Sequence, residues 1–189
     1  LVTGVIFVTD FADQAVLLPL ALVVAAFLGM QGWWRGAAAW LVGIGTTLAL
    51  MLVLKIAFMA CAHDDMLHSP SGHTAAAAVV TGALVVVLSR NRRLVLPSAI
   101  LAALVIGASR LALGAHTLLE VLVGAAVGIG GAMLTAYLAG PAPVFSRSRT
   151  VMAALLVVAI LHGMRVPAEA HIRSFAQRIA PYVDVCRAR

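Results

Sequence analysis

Residues 37–60 carry one charged side chain, Lys55, among residues that are otherwise apolar, glycine or threonine. A run of that length matches the ~20 residues that cross a bilayer as a helix. Inside the bilayer a chain must satisfy its own backbone polar groups, and a single apolar segment does so as an α-helix. Comparable runs lie at 15–30, 72–89, 94–108, 117–138 and 150–163. Charged residues make up 11% of the chain, against roughly 25% in soluble domains. The expected fold is all-α, a polytopic membrane bundle of about six transmembrane helices. Residues 1–14, with Asp10 and Asp13, read as an interfacial N-terminal segment, and 15–163 as the membrane domain. Residues 164–189 read as a basic tail, in which Ile172, Phe175 and Ile179 recur at the spacing of an amphipathic surface helix.

The formal charge of +6 comes from 13 Lys and Arg against 7 Asp and Glu. The arginines fall mainly in the loops and the tail, where they serve as topology signals and contacts for anionic headgroups. No aromatic-basic interleaving points to nucleic acid. With alternate crossings, Arg35, the Arg90-Asn91-Arg92-Arg93 cluster, Arg147 and Arg149 share one side. The positive-inside rule makes that side cytoplasmic. The polar segments 61–71 and 109–116 then share the other, which predicts a bacterial-type plasma membrane protein with its polar groups on the non-cytoplasmic face. Cys61 and Cys186 form no metal-ligand spacing and pair only if the tail is also outside.

Two polar islands interrupt the apolar runs. The first is Ser69-Pro70-Ser71-Gly72-His73-Thr74. The second is Ser109-Arg110, followed by His116 and Glu120. Ser71-Gly72-His73 is placed to open a helix, whose first turn offers free N–H groups and a partial positive charge to an anion. Gly72 allows close backbone approach, and Ser71 adds a hydroxyl donor. Lys55 and Arg110 bring cations from the ends of two other spans, and a guanidinium suits bidentate contact with phosphate. His116 also stands at a helix start, where the dipole favours a neutral, nucleophilic imidazole. Glu120 is four residues on, on the same helix face, placed to accept the far ring N–H and fix the tautomer. His73 remains to protonate a leaving oxygen.

These residues resemble the type-2 phosphatidic-acid phosphatase and vanadium haloperoxidase superfamily, in its membrane-bound lipid phosphatase branch. The pattern there is a Lys, six residues and Arg-Pro; then Pro-Ser-Gly-His; then Ser-Arg, five residues, His, three residues and Asp. Pro70-Ser71-Gly72-His73 matches the second part, and Ser109-Arg110 with His116 matches the third. Glu120 stands where the family has Asp, and Ala62-His63 stand where it has Arg-Pro. The resemblance implies a metal-independent phosphatase with no cofactor, working through a phosphohistidine. His116 would be the nucleophile, His73 the acid and Glu120 the orienting carboxylate, with Lys55, Ser71, Gly72, Ser109 and Arg110 binding phosphate. The implied substrate is a lipid phosphate or diphosphate, of the undecaprenyl diphosphate, phosphatidylglycerol phosphate or lipid A phosphate class.

Other readings stay open on the sequence. A phosphotransferase would use the same intermediate. A non-catalytic lipid-binding subunit would explain the lost arginine, unless His63 or His68 fills its place. The His63, Asp64, Asp65 and His68 group reads as a solvated loop more readily than as a metal site. Gly124 and Gly128, at GxxxG spacing, read as helix-packing residues.

Overall fold

The computed structural model describes residues 2–61, 69–89, 91–143 and 146–179. Ala62, His63, Asp64, Asp65 and His68 lie outside the described residues, as do Arg90 and Cys186, the conditional partner of Cys61. Among the described residues the chain forms α1 (Val2–Asp10), α2 (Gln14–Met30), α3 (Trp34–Cys61) and α4 (Gly72–Leu88). A 3-10 turn (Arg92–Leu94) then leads to α5 (Val95–Ala112), α6 (Leu118–Leu138), α7 (Arg147–Leu161) and α8 (Ala168–Ile179). The fold is a helical membrane bundle.

Hydrogen bonds between distant residues fix which end of each helix is which. At one end, Arg35 Nε donates to Leu138 O at the close of α6, and Arg92 donates to the carbonyls of Ala136 and Gly140. Gln31, just after α2, donates to the Thr150 hydroxyl of α7 across 3.0 Å. Cations at the end of α6 meet its free carbonyls and the negative end of its dipole. At the other end, the first turn of α6 meets the start of α4, where Ser71 N donates to Glu120 O. His162, just beyond α7, contacts Phe7 O of α1. Helices α2 to α7 therefore alternate between an arginine end and an end carrying both polar islands. The 21 residues of α6 separate these ends by ~30 Å, the thickness of a hydrocarbon core.

Among the described residues, four stretches are long and apolar enough to cross a membrane by length and composition: Thr3–Met30, Trp34–Met59, Arg92–Ala112 and Leu118–Leu138. Helix α4 has 17 residues and α7 has 15, both short of the ~20 of a full span. Leu22, Leu101, Leu104, Leu155 and Ile160 are exposed around the outside, an arrangement that suits lipid rather than water.

Helix α4 is the centre of the bundle, packed by α6, α5 and α3. An N-cap from Ser71 starts it, and the alanines 75–78 favour its helix and keep it slim. It is buried continuously from Thr74 to Val80, as expected of a helix with no solvent face. The glycines of α6 make that possible. A Cβ on Gly124 would collide with the Ser71 carbonyl oxygen, and one on Gly128 with the Ala75 carbonyl oxygen. Both serve close packing, as their spacing predicts, and the Gly124 contact brings the start of α6 onto the first polar island.

The structure moves several boundaries. Residues 2–10, expected as an interfacial segment, form a helix packed on α5, with Thr9 and Asp10 buried. Ser109 and Arg110, expected just beyond a span ending at 108, lie in the last turn of α5. The tail does form a helix, α8, and it packs against α3.

Candidate active site

Glu120 organises the site. Thr117 caps α6 and forms a reciprocal capping box with Glu120. The capping box explains the longer side chain: a Thr-x-x-Glu box closes back onto the N-cap backbone. Glu120 Oε2 accepts the Thr117 N–H at 2.9 Å and lies 3.0 Å from His116 Nδ1. Its other oxygen, Oε1, accepts the Ser69 N–H at 2.9 Å. One buried carboxylate thus ties His116 to the loop that leads into α4. Because Oε2 is an acceptor, the imidazole proton sits on Nδ1 and the lone pair is left on Nε2.

The His116 side chain is only 4% exposed. Burial of the ring pushes its pKa below 6.5, and the bond to Glu120 pulls the other way without prevailing. Helix position argued for a neutral imidazole from the sequence; in the structure desolvation is the largest cause. A chemical step that needs neutral His116 should therefore slow as pH falls, with the acid limb of kcat/KM centred below 6.5. A pH–rate profile checks this, and an acid limb centred well above 6.5 would assign that limb to another group.

His73 occupies the first turn of α4, and its Nε2 lies 3.9 Å from Asp13 Oδ2. That is an ion-pair distance for a protonated ring and too long for a hydrogen bond. Arg110 and His116 both lie within electrostatic range of His73. The Nε of Arg110 is buried with no hydrogen-bond partner among the described residues. A buried guanidinium nitrogen without an acceptor is costly, and a bound oxyanion would relieve it.

Lys55 is buried near the end of α3. Its Nζ donates to Ser69 Oγ at 3.3 Å and pairs with Glu169 Oε1 at 3.2 Å. Gly72 approaches the Lys55 side chain so closely that a Cβ there would stand 3.3 Å from Lys55 Cε. A cavity of about 470 Å³ opens beside these groups. Lys55, Gly72, His73 and Glu169 form its polar end, and side chains such as Leu18, Leu48 and Leu52 form its apolar walls.

The PAP2 superfamily model matches residues 5–143. The chain belongs to the PAP2 superfamily. No curated protein and no solved structure matched it. Membership in the PAP2 superfamily brings a phosphatase-type function, generally on lipid phosphates, and the apolar helices bring membrane association.

Within this PAP2 chain, Lys55, Gly72, His73, Arg110, His116 and Glu120 gather at one end of the bundle, where the two islands were expected to meet. Two expected phosphate ligands have other engagements. The Ser109 hydroxyl lies 2.7 Å from Thr9 Oγ1 and donates to Ile106 O, so it fastens α1 to α5. The Ser71 hydroxyl is fully buried, 2.9 Å from Thr74 Oγ1, and caps α4. Three side chains at the site carried no such expectation: Ser69, Asp13 and Glu169. Asp13 was legible as an N-cap, since it precedes the apolar run of α2. Glu169 stands three residues before Ile172, on the face marked by the tail's helical periodicity.

Proposed function

We propose that this chain is an integral membrane lipid phosphatase that hydrolyses a lipid phosphate or diphosphate through a phosphohistidine on His116. The observation that carries this reading is the Glu120 hub. One carboxylate holds the proton of His116 on Nδ1 and also anchors the loop that opens α4. His116 Nε2 attacks phosphorus while the bond from phosphorus to the lipid oxygen breaks. His73, protonated, gives its proton to that oxygen. Water then attacks the phosphorus and gives a proton back to His73, the P–N bond breaks, and phosphate leaves with neutral His116 restored. Arg110, Lys55 and the first N–H groups of α4 stabilise the charge on the equatorial oxygens. No step in this scheme uses a metal.

The substrate class follows from the cavity. Its polar end adjoins Lys55 and His73, and its apolar walls suit an acyl or isoprenoid chain. Undecaprenyl diphosphate, phosphatidylglycerol phosphate and lipid A phosphate share that combination. The arginine end of the bundle supports a cytoplasmic assignment for Arg35 and Arg92, with the site on the outer leaflet of a plasma membrane.

Purified protein should release phosphate from members of such a lipid panel in mixed micelles, in the presence of a metal chelator. It should act far more slowly on water-soluble monoesters that leave the apolar walls unfilled. Equal rates on soluble and lipid phosphates would remove the lipid assignment. No release from any of them would remove the enzyme reading.

A further inference from the structure

Glu169 reaches the Lys55 subsite from the far end of the chain. Its Oε1 accepts the Ser69 hydroxyl at 3.1 Å and pairs with Lys55 Nζ at 3.2 Å. Its charge also acts on His73, His116 and Arg110. A carboxylate oxygen held by an ammonium and a hydroxyl, among the cations of the site, has the surroundings of a phosphoryl oxygen. The Lys55 ammonium already holds the Glu169 carboxylate and the Ser69 hydroxyl, so an external anion there must compete with Glu169.

The element carrying Glu169 is built differently from the bundle. Helix α8 packs on α3, and Ala176 is its buried apolar residue among those described. Arg173 and Phe175 are exposed. A helix with so little buried apolar area belongs to the low-stability end of a structure. The strap before it is tied down firmly. Arg165 donates from Nε and Nη2 to the two Asp10 carboxylate oxygens, each at 3.0 Å, and the Val166 N–H reaches Asp13 Oδ1 at 3.2 Å. The strap therefore delivers α8 to the mouth of the cavity, and the helix starts directly beyond Pro167, where the anchoring ends.

We propose that Glu169 is an internal ligand of the Lys55–Ser69 anion subsite, and that α8 is a lid which a phosphate-bearing substrate must displace. The inference rests on the phosphate-binding reading of Lys55. Burial opposes ionisation of Glu169, but the Lys55 ammonium and the hydrogen bonds from Lys55 and Ser69 outweigh it and hold its pKa below 4.5. The carboxylate is thus an anion at neutral pH and competes with substrate. The apparent affinity for an external oxyanion falls by the fraction of molecules whose lid is open. One charge-assisted contact favours the closed lid by roughly tenfold or more.

The test is equilibrium binding of inorganic phosphate and orthovanadate to the full chain, set beside turnover of the lipid phosphate panel named above in mixed micelles. Glu169→Gln keeps the shape and removes the charge. It should tighten both anions about tenfold and lower KM by a similar factor, with kcat little changed. Arg165→Ala loosens the strap without touching the subsite, and should shift affinity the same way by about threefold. Unchanged or weaker anion binding in Glu169→Gln overturns the lid. So does a fall in kcat at constant KM, which would make Glu169 part of the chemistry. If the anions bind tighter but neither protein turns over lipid, the lid stands and the enzyme reading falls. If turnover proceeds with anion affinity and KM unmoved, the reverse holds.

Discussion

Replacing His116 by alanine should abolish turnover, with a loss on the order of 10⁴-fold or more. The size follows from the proposed chemistry. Without the imidazole there is no covalent intermediate, and water must attack the phosphoester directly in a site shaped for another nucleophile. Phosphate affinity should survive, because Lys55 and the first turn of α4 do not depend on that ring. Stability should also hold better than for most buried residues, since among the described residues the ring's one hydrogen bond is to Glu120 and that carboxylate keeps its bonds from Thr117 and Ser69. A rate for His116→Ala within tenfold of wild type would mean that the histidine is a packing residue. The measurement is phosphate release at saturating lipid, with thermal unfolding as the control.

Glu120→Gln should cost ~10³–10⁴ in rate and roughly 1–3 kcal/mol in stability. Both carboxylate oxygens accept from N–H groups: Oε1 from Ser69, and Oε2 from Thr117 and His116. An amide replaces one of them with a donor, whichever way it lies. If the NH₂ takes the Oε2 position, it faces the Thr117 N–H and forces His116 Nδ1 to accept. The ring proton then moves to Nε2, and the nucleophilic lone pair is gone. If the NH₂ takes the Oε1 position, it faces the Ser69 N–H and loosens the loop that leads into α4. Either result lowers kcat more than KM. The ¹⁵N shifts of the His116 ring report the tautomer directly. A Glu120→Gln protein with wild-type kcat would leave the carboxylate only its capping role on α6.

The bundle was legible because membrane helices announce themselves locally. A run such as 37–60 has few alternatives in lipid, and α3 extends over it with three further residues at its start and one at its end. The pairing of His116 with Glu120 was legible from their spacing, and the contact is 3.0 Å, but its geometry was not: His116 lies just before the Thr117 N-cap rather than on a shared helix face, and Glu120 meets it by folding back over the start of α6. Gly124 and Gly128 were readable as a packing stripe. What faces them was not: the contact of Gly124 with the Ser71 carbonyl joins residues from two separate helices.

Non-local polar contacts set the limit. Glu169 bonds Ser69 across 100 positions, and Arg165 bonds Asp10 across 155. No periodicity couples such pairs. A tail dominated by arginines drew attention to its net charge, and Glu169, which enters the site, was absorbed into that total. Ser109 shows the opposite effect. Its place in a Ser-Arg-x5-His motif implied phosphate binding, while its hydroxyl bridges to Thr9 on a helix whose packing partner nothing in the motif reveals. The substitution of Glu for Asp at 120 looked like a departure from a pattern. In the structure it is what a Thr-x-x-Glu capping box requires, and the longer side chain spans from His116 to the Ser69 loop.

The central claim is a covalent bond between phosphorus and His116 Nε2. It is tested most directly by mixing purified protein with a ³²P-labelled lipid phosphate, quenching within a turnover and following label on the protein. Label on the protein should be stable in base, released by acid, absent from His116→Ala, and lost from the wild type when orthovanadate is added first. Turnover with no protein-bound label at any quench time, or label that persists in His116→Ala, would contradict it.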